Sequence, residues 1–133
     1  MPIQLAMVGL VVSDMRRTLQ FYRRLGLDIP DDADEKRFVM HRMPSGVTIF
    51  FDTVFFPGHD PERQPAARGS YNIALEFYAR TRAAVDGLFT ELTDLGYTGR
   101  KPPWKSDGPY AAIVEDPDGN PILITAEDTG ADI

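Results

Sequence analysis

Apolar residues run almost unbroken over residues 5–12, then recur at helical spacing at Met15, Leu19, Phe21, Tyr22 and Leu25. Arg16, Gln20, Arg23 and Arg24 take the opposite side of that stretch, as on an amphipathic helix. The first run, with Gly9 inside it, predicts a strand buried on both faces. Ser13 or Asp14 supplies an N-cap, and Gly26 a helix stop. Residues 27–29 predict a short strand and residues 30–35 an acidic loop. The runs 36–43 and 47–52, on either side of Pro44-Ser45-Gly46, predict a hairpin.

The same order then returns. Residues 71–78 alternate, with Asn72, Ala74 and Glu76 on one face and Ile73, Leu75 and Phe77 on the other, which predicts a strand. Thr81 caps a helix whose stripe is Val85, Leu88, Phe89, Leu92 and Leu95, closed by Gly96. A short strand over 97–99 and a loop over 101–109 follow. The apolar runs 110–114 and 122–125 flank Asp116-Pro117-Asp118-Gly119-Asn120, whose turn chemistry predicts a second hairpin. Leu25-Gly26-Leu27 and Leu95-Gly96-Tyr97 hold equivalent places. The chain therefore reads as β-α-β-β-β twice. Residues 1–133 form a single domain, with one module at about 3–53, a linker loop at 54–69, a second module at about 70–127 and a frayed tail at 128–133. The linker carries Pro57, Gly58, Pro61 and Pro65 with the aromatics Phe55 and Phe56, the composition of a linker or binding loop.

Composition narrows the function classes. A chain of 133 residues with 43% hydrophobic and 26% charged residues has the balance of one soluble globular domain. It contains no cysteine, which removes disulfides and Cys-ligated metal centres. A net charge of −6 argues against a nucleic-acid surface and is compatible with a cationic ligand. The basic group Arg16, Arg17, Arg23 and Arg24 reads as a solvated helix face. With neither a leader-like start nor a membrane-length apolar stretch, a cytoplasmic protein is expected.

The duplicated unit resembles the vicinal oxygen chelate superfamily, which includes glyoxalase I, extradiol dioxygenases, fosfomycin-resistance enzymes and bleomycin-resistance binding proteins. Its marks are Val11-Val12-Ser13-Asp14, the stretch Leu19-Gln20-Phe21-Tyr22-Arg23-Arg24-Leu25-Gly26-Leu27, and Val114-Glu115-Asp116-Pro117-Asp118-Gly119-Asn120. The resemblance implies an α+β fold of two tandem βαβββ modules, forming a cup-shaped mixed β-sheet with the helices outside. It also implies where metal ligands would stand in the enzymes: here those slots fall on Met7, Phe50, Asn72 and Leu123. Neither thioether, phenyl, amide nor isobutyl side chains suit a hard or borderline divalent cation, so neither a metal nor another cofactor is expected.

One fold of this kind hosts many chemistries, so function rests on the remaining side chains. The expected binding set is Met7, Phe50 and Leu123 as an apolar floor, with Asn72 and Glu76 orienting polar groups. Trp104, Tyr110, Phe55 and Phe56 would supply aromatic cover. The resulting expectation is a metal-free protein that sequesters a partly aromatic, possibly cationic small molecule, as in the bleomycin-resistance type. Open sheet edges lead to the expectation of a homodimer, with no nucleic-acid or membrane partner. Two alternatives stand beside it. One is a lyase, isomerase or dioxygenase relative, using a displaced metal site around His41 or acid–base chemistry at Glu76. The other is a non-catalytic dimeric regulatory module.

Overall fold

A computed structural model describes residues 2–54 and 58–127. Phe55, Phe56 and the tail 128–133, all singled out above, lie outside the described residues. The chain divides into two compact units, Met1–Pro65 and Ala66–Ile133, and each carries its own sheet.

The first unit contains β1 (Val8–Val11), α1 (Met15–Arg24), a short 3-10 helix (Asp31–Glu35), β2 (Phe38–Arg42) and β3 (Thr48–Asp52). Its sheet has the order β1-β3-β2, with β1 parallel and β2 antiparallel to β3. Helix α1 begins where Asp14 Oδ1 accepts the Arg17 amide at 3.1 Å. It buries Met15, Thr18, Leu19, Phe21 and Tyr22. The Tyr22 ring lies 5.1 Å from Phe51, so α1 covers the sheet face that also carries Val39 and Ile49. Each such large apolar side chain contributes roughly 1.5–3 kcal/mol on burial.

The second unit contains β4 (Leu75–Arg80), α2 (Arg82–Asp94), β5 (Gly99–Lys105), β6 (Tyr110–Glu115) and β7 (Pro121–Ala126). The sheet order is β4-β7-β6-β5, with β4 parallel to β7 and the other neighbours antiparallel. Thr81 caps α2 by accepting the Ala84 amide at 3.1 Å. Val85 and Leu92 are its buried positions, and Leu88 and Phe89 are half-buried. The architecture is α+β, two mixed sheets of three and four strands with helices.

Both helices end the same way. The Gly26 amide donates to the Arg23 carbonyl and the Leu27 amide to Tyr22, while Gly96 donates to Thr93 and Tyr97 to Leu92. These are Schellman closures, and the φ values of 100° and 97° at the two glycines are what such closures require. The hairpin at 116–120 is built as expected. Asp116 is buried, and its Oδ1 accepts the amides of Asp118 at 3.0 Å and Asn120 at 2.9 Å. Its Oδ2 accepts the Asn120 side-chain amide at 2.9 Å.

Several expected elements differ. Residues 27–29 form no strand. Leu27 gives its amide to the helix closure and Ile29 gives its amide to the Leu27 carbonyl. The Ile29 and Pro30 carbonyls accept from the Arg23 guanidinium, both at 2.8 Å. The amides and carbonyls of Leu27 and Ile29 are thus committed elsewhere, and the first unit is β-α-β-β. The acidic loop closes into the 3-10 helix instead, and Asp34 pairs with Arg23 at 2.9 Å. Arg23 is therefore a half-buried clamp and not a solvated position. The first strand starts at Val8 and is half-buried, not buried on both faces. The strand expected from residue 71 starts at Leu75, which pairs with Ile122; one residue earlier, β7 has Pro121 and the turn. Leu95, placed in the helix stripe, is the exposed C-cap. The loop expected over 101–109 is largely strand β5, whose Pro102 and Pro103 are accommodated at a sheet edge with register shifts.

Candidate functional site

The second sheet presents two faces of different character. One packs on α2: Gly99 backs onto Phe89 and Thr93, and the Tyr110 hydroxyl donates to Asp86 at 2.6 Å. The register assigns Leu75, Phe77, Tyr110, Ala112, Val114, Ile122 and Ile124 to this face. The other face is an ordered grid of eight side chains in two adjacent cross-strand rows. Lys101 pairs with Ile113, Ile113 with Leu123, and Leu123 with Glu76. Beside that row, Trp104 pairs with Ala111, Ala111 with Thr125, and Thr125 with Tyr78.

The two rows make a trough. Small residues, Ala111 and Thr125, stand between the aromatic ends Trp104 and Tyr78, and both are buried. Aliphatic Ile113 and Leu123 stand between the charged ends and are half-buried. The ends rise higher: Glu76, Tyr78 and Lys101 are exposed and Trp104 is half-buried. Three strand spacings place the outer backbones about 14 Å apart. At that separation in water, Lys101 and Glu76 attract by only about 0.3 kcal/mol, so neither neutralises the other.

Each end has a local partner that orients it. The Lys101 ammonium sits 4.0 Å from the Trp104 ring centroid, a cation–π contact worth about 0.5–1 kcal/mol at an exposed site. Glu76 Oε2 accepts the Thr125 hydroxyl at 2.9 Å, which leaves Oε1 for another donor. At the hairpin end of this face, buried Glu115 is held by Arg68 at 3.1 Å and Arg100 at 3.0 Å. That carboxylate is thus committed to tying residues 68–69 and β5 to the sheet.

In the first unit, the face away from α1 carries Phe50, whose ring stacks on Phe38 at 5.3 Å and lies directly over Gly9. Asp52 shares that face, buried, and accepts the Val54 amide at 2.8 Å. His41 pairs with Ile49 and so belongs to the α1 side of the sheet. His41 and Asp52 therefore point to opposite faces of this sheet and do not form a pair. Met7 stands just before β1 beside a shallow groove of about 190 Å³ between residues 5–8 and 46–48.

Of the residues singled out in the sequence, Glu76, Trp104 and Leu123 come together on one face. Asn72 precedes β4, outside the strand, and strand parity no longer ties it to Glu76. Trp104 belongs to β5 and not to a loop. Tyr110 is on the α2 side, with the Arg82 guanidinium 5.0 Å from its ring centroid, away from the trough. The Asp86 hydrogen bond, with burial, raises the Tyr110 phenol above its ordinary value. Sequence reading missed Lys101, Tyr78, Ala111, Ile113 and Thr125. The alternation in β6 and β7 carried the signal for the last three, once Leu123 was placed on the open face.

The metal chemistry associated with this architecture needs several converging oxygen or imidazole donors. Among the described residues, no three His, Cys, Asp or Glu side chains gather to hold an ion. The carboxylates of the helix-free faces are engaged separately: Glu76 by Thr125, Asp52 by the Val54 amide and Glu115 by two arginines. This donor set does not fit a chelated divalent cation.

Comparison with known proteins agrees with the fold. A glyoxalase-related enzyme from Fulvimarina pelagi superposes with a TM-score of 0.74 at 21% identity, covering 97% of this chain and 94% of its own. A glyoxalase/bleomycin resistance protein/dioxygenase family enzyme from Burkholderia phytofirmans PsJN gives 0.76 at 20%, covering 92% and 97%. A glyoxalase/bleomycin resistance protein from Albidiferax ferrireducens T118 gives 0.67 at 26%, covering 92% and 98%. No curated protein matches the chain in sequence. No helix among the described residues is long and apolar enough to cross a membrane. The sequence profile of one family matches residues 4–124, and the chain belongs to that family, the Glyoxalase/Bleomycin resistance protein/Dioxygenase superfamily.

Proposed function

We propose that this member of the superfamily is a binding protein that sequesters a partly aromatic, cationic small molecule without a metal ion. One observation carries the reading. The row Trp104–Ala111–Thr125–Tyr78 sets two aromatic side chains around a floor of small residues, with the Glu76 carboxylate beside it. A flat ring packs against the exposed Tyr78 ring, the half-buried Trp104 ring and half-buried Ile113 and Leu123, where stacking and apolar burial favour it. The Glu76 carboxylate attracts a cationic centre on the same guest by charge, and the net charge of −6 favours cations at longer range. The same reading takes the protein to be cytoplasmic and, because Ile3, Leu5 and Ile73 are left 98%, 87% and 75% exposed, a homodimer. Apolar exposure of that degree suits an interface.

Trp104 is the sole tryptophan, so its emission tests the reading directly. Titration with N-methylacridinium and N-methylquinolinium in chelator-containing buffer is expected to change the emission saturably. Glu76→Gln is expected to weaken binding about fivefold, the upper range for a partly exposed ion pair. Absence of a saturable change with every aromatic cation tried would count against sequestration. Sedimentation equilibrium tests the dimer.

A further inference from the structure

The neighbouring row on the same face adds something that a simple cation site would not need. Lys101, Ile113, Leu123 and Glu76 form one continuous line across all four strands, cationic at the β5 edge, apolar in the middle and anionic at the β4 edge. Among the described residues, Lys101 makes no ion pair. Its ammonium rests over the Trp104 ring. A cation resting on an indole keeps its charge available to an incoming anion, and the indole fixes its position. Glu76 is likewise held by a single neutral hydroxyl, that of Thr125.

Resting on the binding reading above, we propose that this trough selects ligands with opposite charges at their two ends. An anionic group such as a carboxylate docks on Lys101 beside Trp104. An ammonium docks on Glu76 beside Tyr78. An apolar, preferably aromatic, body lies between them over the half-buried Ile113 and Leu123. The outer strands are about 14 Å apart, so the matching ligand is a rigid zwitterion of roughly biphenyl length. A compact amino acid cannot reach both ends. Lys101 and Glu76 thereby become specificity-determining residues, because each disfavours a ligand whose end charge is reversed.

The test uses 4′-(aminomethyl)biphenyl-4-carboxylate, its methyl ester (cation only), its N-acetyl derivative (anion only) and uncharged biphenyl-4-carboxamide, each titrated calorimetrically into the full-length protein. The zwitterion is expected to bind about tenfold more tightly than either singly charged analogue. Lys101→Met should abolish its advantage over the ester and Glu76→Gln its advantage over the N-acetyl compound. The double variant K101E/E76K should recover zwitterion binding, because the ligand can turn end for end. Thermal melts and far-UV circular dichroism establish that the exposed substitutions leave the fold intact. If the ester binds as tightly as the zwitterion and Lys101→Met changes neither, the charge pattern is not read. The two-ended proposal then falls while the aromatic-cation reading stands. If none of the four compounds binds and aromatic cations also fail, both fall together.

Discussion

The ring of Phe50 occupies the space where a side chain at residue 9 would be: a Cβ built on Gly9 would lie 1.9 Å from Phe50 Cζ. Gly9 and Phe50 are direct partners across β1 and β3, and the ring is stacked on Phe38 from the other side. Phe50 therefore cannot move away without breaking that stack. Gly9→Ala is expected to destabilise the protein by about 1–3 kcal/mol, the cost of overpacking. Combining it with Phe50→Leu should cost less than the sum of the two single changes. Urea denaturation of the four proteins measures this coupling; strict additivity would show that the ring does not depend on the glycine.

Asp116 closes the last hairpin through three hydrogen bonds to Asp118 and Asn120. Removing a buried acceptor leaves its donors unmatched, so Asp116→Ala should cost about 2–3 kcal/mol. Asp116→Asn, which keeps one carbonyl oxygen, should cost less. Thermal melts of the two variants decide it, and equal stability of Asp116→Ala and the unaltered protein would contradict the role given to this side chain.

Tyr110 donates to Asp86, and that bond raises the phenol above its ordinary value of 10.0. The protonated phenol is the form the folded state favours. Its contribution is complete below the unfolded-state titration near 10.0 and is lost as pH rises through the higher folded-state titration. The stability difference between the unaltered protein and Tyr110→Phe should be constant at neutral pH and shrink in the alkaline range. Denaturant unfolding of both proteins from about pH 7 to about pH 11 reads this difference. A gap that widened with alkali would have the wrong sign.

Local chemistry was the most legible part of the chain. Asp14 and Thr81 as caps, Gly26 and Gly96 as helix stops and the Asp116 turn all act within a few residues, and each is found where the side chains point. What the sequence did not disclose depends on partners distant in the chain. Residues 27–29 look strand-like, yet their backbone groups are taken by the α1 closure and by Arg23. Leu75 opens β4 because β7 has no usable partner before Ile122. Pro102 and Pro103 argue for a loop unless β5 is known to be an edge strand. The proposed binding face was hard to read for the same reason. With β5 read as a loop, the row from Lys101 to Glu76 was invisible, and Tyr110, read without its face, was placed among the binding residues.

On the proposed reading, the face bearing Trp104 and Glu76 holds an organic guest without a chelated ion. Native mass spectrometry of the full-length protein, dialysed against EDTA and then mixed with N-methylacridinium, tests it most directly. The expected spectrum shows a saturable adduct of the ligand's mass alone, unchanged when zinc, manganese or iron(II) is added back. An adduct that forms only with one equivalent of a divalent ion, or an ion whose return converts the bound compound to product, would contradict the claim.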